Sequence, residues 1–119
     1  MAHTPRVVIV LGRCGRTNGL FGIRFEEAGR DHWAGDWAFH VRERTAKREG
    51  YDEGEVAGSF SFAPGYPGCP GCGGRSLFRC ACGKVACWDG ESRQVRCPWC
   101  GQSGLLEGVV DRLTTGRDL

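Results

Sequence analysis

Eight cysteines stand in this chain of 119 residues, and seven of them fall between Cys69 and Cys100. Four form two matching runs, Cys69-Pro70-Gly71-Cys72-Gly73 and Cys97-Pro98-Trp99-Cys100-Gly101. A Cys-x-x-Cys spacing lets one tight turn aim two sulfurs at a single ion while backbone N–H groups point toward those sulfurs. Proline presets the turn, and the glycine that follows tolerates positive φ. Two such knuckles supply four thiolates in a tetrahedron, the closed arrangement of structural zinc. The first expectation is therefore one Zn²⁺ held by Cys69, Cys72, Cys97 and Cys100.

Between the knuckles lies Cys80-Ala81-Cys82-Gly83-Lys84-Val85-Ala86-Cys87. If Arg75–Cys80 and Lys84–Trp88 pair as a hairpin turning near Cys82-Gly83-Lys84, Cys80 faces Cys87 across the ladder and shares a strand face with Cys82. Three thiols then converge, and Cys14 is the candidate for the fourth ligand of a second zinc site. Two alternatives stay open: the sites interleave, each drawing on different pairs, or the middle cysteines are small buried residues beside a single zinc. His3, His32 and His40 are scattered and read as structural or exposed positions.

Metal is favoured over disulfides by context. The apolar run Val7–Leu11 is too short for a signal-peptide core, and no stretch approaches the ~20 apolar residues of a membrane span. The expected compartment is the reducing cytosol, where clustered cysteines bind metal. The segment from Tyr66 to Gly104 also has few large apolar residues, and so small a module needs a metal to fold.

Residues 69–104 carry five basic and two acidic side chains. Four thiolates on one Zn²⁺ have a formal charge of −2, which brings that segment from +3 to +1 and the whole chain from +2 to zero. Arg75, Arg79, Lys84, Arg93 and Arg96 are then partly counter-charges for the site, which weakens a phosphate-binding reading.

The elements that must position these thiols are mainly strands. Arg6–Gly12 reads as a buried strand. Asn18-Gly19 predicts a type I′ hairpin turn, and Phe21, Ile23 and Phe25 alternate after it. A turn around Gly29-Arg30-Asp31 leads to a third strand with Trp37, Phe39 and Val41 on one face. Glu43–Glu49 favours a short helix closed by Gly50. Val56–Phe62, with Phe60 and Phe62 on one face, is a fourth strand, and Leu105–Leu113 suggests a second short helix. The aromatics at strand spacing, Trp37 included, are expected in the core. The fold expected is mainly β (small α+β): an antiparallel β subdomain with one short helix over residues 1–66, a zinc ribbon over 67–104 and a tail over 105–119.

Trp37-Ala38-Phe39, Arg48-Glu49-Gly50-Tyr51, Gly58-Ser59-Phe60, Tyr66–Cys72, Cys80–Lys84 and Cys97–Gly101 together resemble the TerY-C metal-binding domain, from about Cys14 to Cys100. That resemblance implies an accessory zinc domain of bacterial tellurite-resistance, stress-response or defence systems, with the matching cysteines as ligands. The family's domain follows a von Willebrand factor A domain and works beside kinase and phosphatase partners. This chain carries no such domain and no Asp-x-Ser-x-Ser motif, so it is expected to be an excised domain or a standalone form meeting its partners in trans.

No Ser-His-Asp set, paired carboxylates or phosphate loop is visible, and Gly12–Thr17 lacks the ending of a P-loop. The function expected is a non-enzymatic, zinc-dependent protein-interaction module. A nucleic-acid-binding zinc ribbon is the competing reading, and a rubredoxin-like iron protein a third.

Overall fold

The computed structural model describes residues 6–44, 54–108, 110 and 112–117. They are mainly β: β1 Val7–Arg13, β2 Leu20–Gly29, β3 His32–Val41, β4 Gly54–Ala57, β5 Ser59–Phe62, β6 Ser76–Arg79, β7 Val85–Trp88, β8 Gln94–Arg96, β9 Ser103–Leu105 and β10 Arg112–Arg117.

The main sheet runs β4-β10-β1-β2-β3-β5. Its two ends are consecutive in the chain, because β4 and β5 are separated only by Gly58. The single strand expected over Val56–Phe62 is thus bent, one arm pairing with β10 and the other running parallel to β3. The bend needs glycine: φ is +135°, and a Cβ there would lie 2.1 Å from the Asp31 carbonyl oxygen. The core of the sheet includes Val10, Ile23, Phe25, Trp33, Val56 and Leu113, all buried.

Three glycines sit directly opposite aromatic rings: Gly12 opposite Phe21, Gly22 opposite Phe39 and Gly35 opposite Phe62. A Cβ at any of them would meet the facing ring within 2.8 Å. Removing the side chain lets the ring lie across the neighbouring strand, which allows so small a sheet to curl tightly.

Three expectations are corrected. Trp37 is 55 % exposed rather than in the core, whereas Trp33 and Ala38 are buried. The cause is a bulge between β2 and β3: Arg24 faces Trp37 but Phe25 faces Gly35, so alternation changes face at Asp36. No helix forms over Leu105–Leu113 among the described residues, since Leu105 ends β9 and Leu113 lies in β10. The described residues of 67–104 place the two knuckles in different groups of four sulfurs rather than together, as the expected ribbon requires. Instead β6 and β7 make a hairpin whose β7 runs parallel to β1, with Gly12 facing Val85 and Arg13 facing Ala86. The short helix expected over Glu43–Glu49 falls mostly outside the described residues. Among those residues, no helix is long and apolar enough to cross a membrane.

Candidate metal centre

Each Cys-Pro-x-Cys run folds as its composition dictates. In the first, the N–H of Cys69 donates to the Gly74 carbonyl at 2.8 Å and that of Gly73 to the Cys69 carbonyl at 2.7 Å. The N–H of Gly71 points at the Cys69 sulfur from 3.4 Å, and Gly73 has φ +80°. The second repeats this geometry. Cys97 donates to Gln102 and Gly101 to Cys97, both at 2.9 Å. Trp99 N–H lies 3.4 Å from the Cys97 sulfur, and Gly101 has φ +80°.

A third turn of the same build starts at Cys14. Its N–H donates to the Gly19 carbonyl and Asn18 N–H to the Cys14 carbonyl, both at 2.9 Å. The N–H groups of Arg16 and Thr17 approach the Cys14 sulfur at 3.4 and 3.5 Å. Asn18, with φ +63°, fills the left-handed position that glycine holds in the other two. Thr17 stands where the second cysteine would be. Cys14-Gly15-Arg16-Thr17-Asn18-Gly19 is therefore a half-knuckle offering one sulfur. Asn18-Gly19 does not make the two-residue I′ turn expected: only Asn18 has positive φ, and six residues join Arg13 to Leu20. The signal available in the sequence was an Asn-Gly pair four residues after a cysteine.

The eight thiols gather into two groups of four. Cys14, Cys69, Cys72 and Cys87 form the first cluster, and Cys80, Cys82, Cys97 and Cys100 the second, with the sulfurs of each within 4.8 Å of one another. The site expected from Cys69, Cys72, Cys97 and Cys100 is thus divided, one knuckle to each cluster. The grouping of Cys80, Cys82 and Cys87 with Cys14 is divided as well. The hairpin register is responsible. Cys87 faces Leu77, three residues from the expected Cys80, because the turn is a tight one closed by Cys80 N–H on the Lys84 carbonyl. Cys80 and Cys82 stay at the turn, and Cys87 lies at the other end of β7, beside β1.

The donor set fits a tetrahedral thiophilic ion. Four sulfurs at ~2.3 Å from a central ion are about 3.8 Å apart. The Cys72–Cys87, Cys80–Cys100 and Cys82–Cys97 sulfurs are separated by 3.4, 3.6 and 3.8 Å. All eight cysteines are free.

The surroundings differ between thiols. Burial works against ionisation of Cys14, but donation from Thr17, Arg16 and Cys69 outweighs it and brings the thiol down to about 6. Burial dominates at Cys69, which rises to about 11, and also pushes Cys87 up. Cys14 is thus poised to meet a cation as thiolate, while its neighbours release their protons to solvent as the ion binds. The buried Tyr66 stacks on Phe62 at 4.4 Å between centroids and ties the first cluster to the core.

Two interleaved sets of four thiols held by knuckles and strand ends define a metal-binding protein. A family model described as the TerY-C metal binding domain matches residues 48–117. That span is more than half of the chain, which belongs to this family. The match reaches β10, beyond the extent of the resemblance, and begins after β1–β3, so Cys14 lies outside it. No curated protein and no solved structure is significantly similar to the chain.

Proposed function

We propose that this protein is a non-enzymatic protein-interaction module that binds two Zn²⁺ ions, one in each four-cysteine cluster. The observation that carries this reading is the completeness of both clusters: four sulfurs each, at the spacing of a closed tetrahedron. Such a site leaves no coordination position for a substrate, and its work is to hold a surface together. Membership of the TerY-C family supports a place in a stress-response or defence system, with a von Willebrand factor A protein or its kinase and phosphatase associates as partner in trans.

Charge speaks against the nucleic-acid alternative more strongly with two ions than with one. Two Zn(Cys)₄ centres at −2 each take the formal charge from +2 to −2. The test is zinc content per chain, with Cys→Ser variants in each cluster, followed by pull-down from native lysate and nucleic-acid titration at rising salt. Two zinc ions and a protein partner are expected. Bound iron, or nucleic-acid affinity that falls steeply with salt, would overturn the reading.

A further inference from the structure

The two clusters have the same donors but unequal shelter. In the first, Cys14 and Cys69 are 1 % and 3 % exposed, and Cys72 and Cys87 are half-buried. In the second only Cys97 is buried; Cys80 is half-buried, and Cys82 and Cys100 are exposed. Sulfur proximity does not separate the sites, since Cys72 and Cys87 are as close as any pair. Access does. The geometry points to the second cluster as a reversible oxidation site: peroxide reacts at the exposed Cys82 or Cys100 thiolate and releases that cluster's zinc, while the first cluster keeps its ion. This inference rests on the zinc reading above.

The step balances with peroxide as the only oxidant. An exposed thiolate attacks one peroxide oxygen, forming an S–O bond as the O–O bond breaks, and the departing hydroxide takes a proton to become water. A neighbouring thiolate then attacks the sulfenic sulfur. The S–S bond forms, the S–O bond breaks, and the second oxygen leaves as water after taking another proton. Two electrons pass from two thiolates to one peroxide. Zn²⁺ loses two of its four ligands and dissociates.

The pairs already in place are Cys80 with Cys100 at 3.6 Å and Cys82 with Cys97 at 3.8 Å. Both would join the β6–β7 turn to the β8–β9 arm. Among the described residues that arm is a separate two-stranded sheet with no ladder to the main one. A disulfide between either pair keeps the arm tethered after the metal leaves, so reduction with zinc present restores the site.

The experiment treats the zinc-loaded full chain with graded hydrogen peroxide, follows released zinc with a chromophoric chelator and maps disulfides by peptide mass spectrometry. One zinc per chain is expected to leave about tenfold faster than the other, with Cys80–Cys100 or Cys82–Cys97 as the first disulfide, and both changes are reversed by thiol plus zinc. Release of both ions at one rate, or a first disulfide within Cys14, Cys69, Cys72 and Cys87, overturns the inference. The zinc count before peroxide tests the underlying reading separately: a chain that starts with fewer than two ions defeats that reading first.

Discussion

Cys14 and Cys87 lie side by side because two strands distant in sequence run parallel, Cys14 following the last residue of β1 and Cys87 lying within β7. The β1–β7 pairing matches Gly12 with Val85 and Arg13 with Ala86, and one further step along both strands brings the two cysteines to the first cluster. That cluster is therefore a joint between β1 and the β6–β7 hairpin. Each half alone supplies an incomplete ligand set.

The first prediction follows from that joint. Cys14→Ser should lower zinc content from two ions to one, although the residue lies outside the span matched by the family model. Because Cys14 is 1 % exposed and its loss removes the metal link that reinforces the β1–β7 pairing, the melting temperature should drop by roughly 10 °C or more. Metal analysis and thermal unfolding measure both. A variant that keeps two tightly bound ions would show that Cys14 is not a ligand.

A second prediction concerns how closely the knuckle seats on the half-knuckle. A Cβ on Gly71 would fall 2.8 Å from Thr17 Oγ1 and 3.0 Å from the Cys14 sulfur, whereas one on Gly15 would meet nothing within 4 Å. Gly71→Ala should cost about 1–3 kcal/mol and weaken the first site, with Gly15→Ala close to neutral. Chelator competition and denaturant unfolding distinguish them. Equal behaviour of the two variants would mean that the turns do not pack this closely.

The knuckles were legible in the sequence because their geometry is local: proline, glycine and a three-residue cysteine spacing dictate the turn. Which knuckle shares an ion with which cysteine was not legible, since it depends on the three-residue hairpin register at Cys87 and on the parallel β1–β7 pairing. Neither leaves a periodic trace. Strand alternation located β1 to β3, yet it assigned Trp37 to the wrong face because a bulge changes parity without changing composition. In the same way Asn18-Gly19 marked a turn correctly but concealed its kind. The positive φ of Asn18 serves a sulfur-binding loop rather than a two-residue hairpin.

The third prediction is a loss of stability at high pH that metal removal introduces. Burial sets the Cys69 thiol at about 11, above its ordinary 9.0. A folded pKa above the unfolded value favours the fold while the thiol is protonated. In the zinc-free chain that contribution is present below about pH 9 and is lost as pH rises through about 11. Zinc binds the thiolate, so in the loaded chain the stabilisation is present at neutral pH and is lost on acidification toward about pH 5. Between about pH 9 and 11 the melting temperature should fall more steeply for the chelated chain than for the loaded one. Below about pH 9 the low Cys14 thiol, at about 6, makes acidification destabilising with or without metal. A chelated chain that grows more stable between pH 9 and 11 would contradict the burial of Cys69.

The last prediction concerns Trp99, the residue inside the second knuckle that reaches back to the first cluster's strands. Its indole N–H donates to the Val85 carbonyl at 2.7 Å. Its ring lies under the Arg13 guanidinium at 4.5 Å and the Lys84 ammonium at 5.2 Å. Arg13 in turn donates to the Asn18 carbonyl at 2.8 Å, at the left-handed corner of the half-knuckle, and pairs with Glu43 at 2.9 Å. A continuous path thus runs from Cys100 through Trp99 and Arg13 to Cys14, and among the described residues the β8–β9 arm has no strand ladder to the main sheet to duplicate it. Trp99→Phe should remove the hydrogen bond but keep the stack, costing about 1 kcal/mol. Trp99→Ala loses both contacts and should cost about 2–4 kcal/mol. Zinc affinity should fall at the second cluster, where the knuckle loses its seat, and change little at the first, whose four ligands lie elsewhere. Stepwise chelator titration of the two variants resolves this, and an equal loss of affinity at both sites would mean that Trp99 supports the fold as a whole rather than the seating of the second knuckle.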